Sequence, residues 1–222
     1  MSLMRFEDKI FVAGHKGMVG NAIVKSLHEK NFSNLIFAKK SEVNLCDFNK
    51  LDKWFSVNKP NIVIIAAAKV GGIFANDSYP VDFLLENLKI QNNLIELAFK
   101  YKARRLLFLG SSCIYPKNCL QPMKEEYLLT GALEETNNAY AIAKICGIKL
   151  CEAYRKQFGF DAISVMPTNL YGPGDNYHKD NSHVMPALIR KFYEAKINHE
   201  ENIICWGSGE PRREFLHVDD LA

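Results

Sequence analysis

The chain has 222 residues, 48% of them hydrophobic and 24% charged, with a formal net charge of +3. That is enough apolar material for a sizeable core. The charge excess is mild, and no basic run or aromatic–basic stripe accompanies it. This argues against nucleic acid or a membrane surface as partner and suits a small anionic ligand. The six cysteines (46, 113, 119, 146, 151 and 205) form no C-x-x-C pair and no metal-like spacing with the six histidines, so no metal is expected. No signal peptide is visible and no apolar run is long enough to span a bilayer. The expectation is a reduced, cytoplasmic protein. Met1-Ser2-Leu3, ahead of a second methionine at Met4, reads as an added leader.

The β-branched and aromatic run KIFVAG (9–14) predicts a buried strand ending in glycine. GMVGNAIVKSLHEK (17–30) carries apolar residues at Val19, Ile23 and Leu27 and predicts a helix. NLIFA (34–38) predicts a second strand, and DFNKLDKWFSVN (47–58) a helix capped by its Asp. NIVIIAAA (61–68) is apolar on both faces, as in a parallel sheet covered by helices on both sides. Pro80 opens a helical segment reaching about Tyr101. RLLFLGSS (105–112) predicts strand four, and 113–137, with two prolines and no period, a loop. A helix over 138–159 ends at a glycine, and FDAISVM (160–166) predicts strand five. This alternation is the pattern of a Rossmann-type, doubly wound α/β sheet. Beyond Pro167 the chain turns turn-rich. A helix over 183–196, a strand over NIICWG (202–207) and a helix start at HVDD follow. A helix barely begun suggests an incomplete fold. The expected division is a dinucleotide-binding domain over 4–166 and an incomplete substrate-binding region over 167–222.

Three motifs carry chemistry. GHKGMVG (14–20) lies between the first strand and the first helix. There Gly14 allows the tight turn, Gly17 lets backbone approach a pyrophosphate, and Gly20 lets helix pack on strand. An ordinary strand–helix turn could hold the same glycines, but the placement favours a dinucleotide. At the tip of the second strand, where an NAD site wants a carboxylate, stand Lys39 and Lys40. Two ammonium groups favour a 2′-phosphate, hence NADP, although a solvated lysine pair is common in loops and Glu42 is near. Tyr140 and Lys144 share one helical face. An ammonium beside a phenol favours the phenolate, and such a tyrosine can exchange a proton with a carbonyl oxygen during hydride transfer. In GSSCIYP (110–116), Cys113 reads either as a packed thiol or as a reagent.

Together these motifs resemble the extended short-chain dehydrogenase/reductases that modify nucleotide sugars. GHKGMVG, AAAKVGGI, GSSCIYPK, YAIAKICGIKLCE, PTNLYGP, NSHVMPALIRKF and WGSGEPRREFLHVDDLA are most similar to the members that convert GDP-4-keto-6-deoxy-D-mannose to GDP-L-fucose. The likeness covers nearly all of residues 8–222. It implies 3,5-epimerisation followed by NADPH-dependent reduction at C4, with a GDP-sugar as substrate and a homodimer as the assembly. The keto group acidifies the C3 and C5 hydrogens, so inversion needs a base and an acid. The family positions for these match Cys113 and His183. A thiolate is a fit base if positive charge lowers its pKa, and an imidazole can return the proton. Tyr140 and Lys144 would serve the reduction, and Ser111 would hydrogen-bond the C4 oxygen.

The resemblance also implies cofactor contacts from Gly14, His15, Lys16, Gly17, Met18, Val19 and Gly20 in the first turn. Lys40, Asn44 and Leu45 would meet the adenosine side. Leu109, Gly110, Lys144, Pro167, Asn169, Leu170 and His183 would line the nicotinamide side. Lys191, Trp206 and Arg213 match positions that hold the substrate nucleotide, although Trp206 could equally be core, and His183 could simply start its helix. Relatives continue past HVDDLA. Two other readings stay open. A 4,6-dehydratase would carry an acidic pair where Cys113 and Ile114 stand. A non-catalytic dinucleotide-binding protein would not need the Ser111, Tyr140 and Lys144 set.

Overall fold

A computed structural model describes residues 3–179, 181–205 and 207–222. Its centre is a five-stranded, all-parallel sheet built from β1 (Ile10–Ala13), β2 (Leu35–Ile36), β3 (Ile62–Ile65), β4 (Arg105–Leu109) and β5 (Asp161–Val165). The strand order is β2-β1-β3-β4-β5. Between strands run α1 (Met18–Glu29), α2 (Phe48–Asn58), α3 (Ile73–Ser78), α4 (Pro80–Lys100) and α5 (Asn138–Phe158). Side chains alternate across each strand, so two cores form. Phe11, Ala13, Val63, Ile65, Leu106 and Phe108 face the layer that holds Leu51 and Phe55 of α2, Leu94 of α4 and Ile148 of α5. Ile10, Val12, Ile62, Ile64, Leu107 and Leu109 face Ile23 and Leu27 of α1. Apolar residues on both sides explain why the strands read as unbroken hydrophobic runs.

Local chemistry sets the helix ends. The Asp47 carboxylate accepts from the Lys50 amide at 3.1 Å and caps α2. Pro80 stands in the first turn of α4. Gly159, with φ +67°, closes α5 in the left-handed conformation. α4 and α5 lie side by side, and Gly147 permits it. A Cβ there would fall 2.5 Å from the Phe108 ring and 2.9 Å from Gln91 Oε1. The buried Gln91 amide donates to the Ala143 carbonyl at 2.6 Å and locks the two helices in register.

Several expectations shift. The second strand shrinks to two residues because it pairs only with β1, at Ile10–Leu35 and Phe11–Ile36. β3 stops at Ile65 and β4 at Leu109, so Gly110 and Ser111 stand beyond the sheet. The short helix α3 occupies a stretch with no sequence period. The strand expected over 202–207 is absent from its described residues 202–205. Ile204 is 81% exposed there, and the run finds no neighbouring backbone to pair with. A strand forms instead in the turn-rich stretch, where β6 (Asn169–Tyr171) pairs in parallel with β7 (Phe215–His217). The helix α6 (Val184–Ile197) lies between them in sequence. HVDD does start a helix, α7 (Val218–Leu221), capped by His217 Nδ1, which accepts from the Asp219 amide at 3.3 Å. α7 docks on α1 through Lys25–Asp219 at 3.2 Å and Ser26 Oγ to the Ala222 carbonyl at 3.3 Å. Among the described residues no helix is long and apolar enough to cross a membrane.

Candidate active site

From β1 the chain steps outward to β2 and then returns to β3 on the other side. The carboxyl ends of β1 and β3 therefore flank a switch point, the place where open α/β sheets bind ligands. Gly14 sits there with φ +88°, and a Cβ on it would lie 2.7 Å from the Ala67 amide nitrogen. A Cβ on Gly20 would overlap the Gly14 carbonyl oxygen, so these two glycines are required by the protein's own packing. Gly17 differs. A Cβ there would meet only the Gly14 carbonyl, at an ordinary 3.5 Å. Gly17 also starts α1 without a side-chain cap, and no acidic residue stands in the first turn. The helix thus presents uncapped amides beside a position whose missing side chain relieves no internal crowding. A pyrophosphate fits both features. His15 stacks on Phe37 with centroids 4.5 Å apart, and its Nδ1 is buried with no hydrogen-bond partner. Burial, then Lys16 and Lys39, hold its pKa below the usual histidine range.

At the tip of β2, Lys39 pairs with Glu42 at 3.6 Å, both well exposed. Lys40 has no carboxylate partner among the described residues. The Asn44 side chain is engaged locally, accepting from the Cys46 amide at 3.0 Å, while Leu45 packs on the core.

Beyond β4, the chain is held to the segment after β5. The Gly110 amide donates to the Val165 carbonyl at 2.8 Å and the Ser112 amide to the Pro167 carbonyl at 3.2 Å. A 3-10 turn over Ser112–Ile114 follows, and Ser111 Oγ caps it by accepting from the Cys113 amide at 3.4 Å. Tyr140, in the first turn of α5, lies close enough to Ser111 for that hydroxyl to pull its pKa down. One turn later Lys144, 3% exposed, donates to the Leu109 carbonyl at 2.7 Å, with its nitrogen 4.8 Å from the Phe108 ring centre. Phe83 of α4 meets the Tyr140 ring edge-on at 6.4 Å. Ser111, Cys113, Tyr140 and Lys144 thus converge at one strand end.

The electrostatics correct two expectations. Lys144 does not depress the Tyr140 phenol. Burial pushes that pKa up, Cys113 adds to the rise, and the Ser111 hydroxyl recovers only part. Cys113 is not a resting thiolate either. Burial raises its pKa, against the pull of the Ser111 hydrogen bond and the Lys144 charge. Lys144 itself is brought down to about 8 by burial, with Cys113 opposing. Lys144 is buried and Tyr140 and Cys113 are half-buried, and their surroundings favour the protonated tyrosine and cysteine.

His183 precedes α6 in extended backbone and makes no side-chain cap, so the simple helix-start role is not seen. Its surface is open to solvent, yet enough protein surrounds the ring to lower its pKa, with Asp175 opposing. The remaining expected contacts are more scattered. Asn169 donates to the Glu214 carbonyl at 3.0 Å, joining β6 to the strand beside it, and Leu170 is half-buried. Lys191 on α6 donates to the Ile204 carbonyl at 3.0 Å, and Arg213 to the Arg212 carbonyl at 2.7 Å on an exposed stretch. Trp206 lies outside the described residues. Sequence reasoning missed Phe83, Asn87, Asn76 and Asp175. Asn87 and Gln91, one turn apart, sit on the buried face of α4. Two polar residues at i, i+4 on that face were the available signal.

The profile of the NAD dependent epimerase/dehydratase family matches residues 10–222. The chain belongs to that family. Family relatives include GDP-L-fucose synthase 1 of Arabidopsis thaliana, 59% identical over 96% of this chain and 66% of the relative. The GDP-L-fucose synthase of Escherichia coli is 53% identical over 97% of the chain and 67% of the relative. Among solved family structures, a GDP-mannoheptose C4 reductase from Campylobacter jejuni with NADP bound aligns with a TM-score of 0.89. It is 40% identical over 98% of this chain and 71% of that one. The chain thus spans about two thirds of the length of the curated relatives it matches.

Proposed function

We propose that the chain carries the cofactor-binding and catalytic part of an NADPH-dependent 3,5-epimerase/4-reductase that makes GDP-L-fucose from GDP-4-keto-6-deoxy-D-mannose. The observation that carries this reading is the convergence of Ser111, Cys113, Tyr140 and Lys144 at the end of β4, in a sheet whose first turn leaves the α1 amides uncapped at Gly17. Relatives named GDP-L-fucose synthases support the substrate, and the NADP-bound neighbour supports the cofactor. Residues 4–166 form the cofactor domain in this reading, and 167–222 part of the substrate region. Lys191, Trp206 and Arg213 belong to the nucleotide's side. The assembly is a cytoplasmic homodimer.

The residues divide the chemistry between them. Cys113 and His183 exchange protons with C3 and C5. The keto group stabilises each carbanion as an enolate, and Ser111 hydrogen-bonds its oxygen. When bound, the nicotinamide supplies hydride to C4. Tyr140, kept protonated by its burial, gives its proton to the C4 oxygen. Lys144 fixes the position of that tyrosine from the Leu109 carbonyl, with its charge against the same apolar wall.

Incubation of the 222-residue chain with the keto sugar and NADPH tests the reading. The expected outcome is oxidation of NADPH with GDP-L-fucose as product, and deuterium from solvent at C3 and C5. Tyr140→Phe should lower NADPH oxidation by about two to four orders of magnitude while exchange persists. NADPH oxidation without deuterium at either carbon would mark a plain C4 reductase instead.

A further inference from the structure

We infer that Asn76 is a positioning residue for His183, acting through the Gly71–Gly72 loop. The inference rests on the acid–base role proposed for His183.

Asn76, in α3, is 7% exposed. Its side-chain nitrogen donates to two carbonyls, Gly71 at 2.8 Å and Gly72 at 3.0 Å. Those two acceptors fix the orientation of the amide, and its Oδ1 is left buried without a hydrogen-bond partner. A buried, unpaired acceptor is a cost to the fold. An apolar residue would avoid it but would release the Gly71 carbonyl, leaving Gly72 only the bond from the Asn76 backbone amide at 3.1 Å. The other end of the loop is held in the same way. Asn87 of α4, 2% exposed, accepts from the Lys69 amide at 2.9 Å and donates to the Lys69 carbonyl at 3.0 Å. Phe83 fills the space against Gly71, where a Cβ would fall 3.0 Å from its ring.

The loop fixed in this way is the surface on which the His183 segment rests. The Gly72 amide donates to the Asn181 carbonyl at 3.3 Å. Ser182, the residue before His183, brings its carbonyl oxygen so close to Gly72 that any Cβ there would overlap it. His183 makes no side-chain cap to α6, and this backbone contact helps to place its segment. Among the described residues, Asp175, in the turn after β6, supplies the charge that acts on the ring. Loosening the loop therefore moves His183 relative to a site whose other members are held by α5 and β4. A displacement on the 1 Å scale costs a proton-transfer site on the order of 10²-fold.

The test is an NMR titration of the histidine ring signals in the full chain and in Asn76→Ala, Asn76→Ser and Gly72→Ala, with His183 assigned by His183→Gln. In the unmodified chain both His15 and His183 should titrate below the usual histidine value, as their burial requires. In Asn76→Ala and Gly72→Ala the His183 midpoint should move upward while that of His15 stays. Asn76→Ser, which keeps one donor, should recover part of the shift. Exchange at C3 and C5 should fall by about tenfold to a hundredfold in the first two variants. Gly72→Ala leaves Asn76 intact and tests the contact between the loop and the His183 segment, while Asn76→Ser carries the test of Asn76 itself if Asn76→Ala does not fold. An unchanged His183 midpoint in the folded Asn76 variants, or equal shifts of His15 and His183, overturns the inference. Absence of exchange in the unmodified chain overturns the reaction assigned to the site, while the titration still decides the clamp.

Discussion

The Lys144 ammonium lies 5.6 Å from the centre of the Tyr140 ring and spends its hydrogen bond on the Leu109 carbonyl, not on the phenol. Buried there, it titrates at about 8 in the folded chain against 10.5 for the free group. The sign follows from linkage. Between those values the unfolded chain binds more protons, so the Lys144 contribution to stability rises with pH. Cys113 and Cys151, whose pKa values are raised, act oppositely above pH 9, so the comparison is with Lys144→Met. From pH 8 to 9 the stability of the unmodified chain should gain about 1 kcal/mol relative to that variant in denaturant melts. A constant difference would mean that the lysine is solvated.

Gly17 and Gly20 should fail in different ways. Gly20→Ala forces a Cβ onto the Gly14 carbonyl, and overpacking of this kind costs about 1–3 kcal/mol. Gly17→Ala meets nothing closer than 3.5 Å and should cost under about 1 kcal/mol as a helix-start change. Its effect should fall on NADPH binding, measured by direct titration. Unaltered NADPH affinity in Gly17→Ala would remove the pyrophosphate from this turn.

Cofactor preference turns on Lys40. Lys39 is partly neutralised by Glu42, leaving Lys40 as the cation available to a 2′-phosphate. NADPH should bind more tightly than NADH. Lys40→Ala should narrow the ratio by about fivefold, the scale of one exposed ion pair of up to ~1 kcal/mol. Equal affinities for the two cofactors in the unmodified chain would contradict this.

Assembly is predicted from α4 and α5. Val81, Leu85 and Ile142 are exposed on these paired helices, although α4 and α5 already cover the sheet. Two copies joined by the same face would bury them around a two-fold axis. Light scattering at micromolar concentration should give twice the chain mass, and Leu85→Lys with Ile142→Lys should halve it. A monomer in the unmodified chain would refute the dimer.

What could be read from the sequence was whatever a local pattern encodes. Asp47 announces a cap, Pro80 and Gly159 mark helix ends, and Tyr140 with Lys144 share a face because four residues make about one turn. Contacts between distant segments left no such trace. β6 depends on Phe215–His217, far along the chain, and so looked like loop. The run at 202–205 has the residues of a strand but no backbone neighbour. Direction of titration was the other gap. Spacing brings Lys144 to Tyr140, but only burial reveals that desolvation outweighs the attraction.

That balance sharpens the prediction for Cys113. The thiol rests protonated, with its pKa raised, and the His183 imidazole rests neutral, with its pKa lowered. Exchange at C3 and C5 should therefore follow a bell. Its acid limb lies below the ordinary histidine value of 6.5 and its alkaline limb above the ordinary thiol value of 9.0. A thiolate with an imidazolium and a thiol with an imidazole carry the same number of protons, so the bell has one shape whichever group is the base. Substitution separates them from a packing role. Cys113→Ser should abolish exchange, because a hydroxyl is far less acidic than a thiol. His183→Gln should remove the acid limb. Reduction of the unepimerised sugar should continue in Cys113→Ser, since Ser111, Tyr140 and Lys144 remain, and yield a product of different configuration. A buried thiol that only fills space would behave otherwise. Its near-isosteric replacement would lower stability slightly and slow exchange and reduction alike. Exchange that persists in Cys113→Ser with both limbs intact would leave the cysteine as core and end the epimerase half of the proposal.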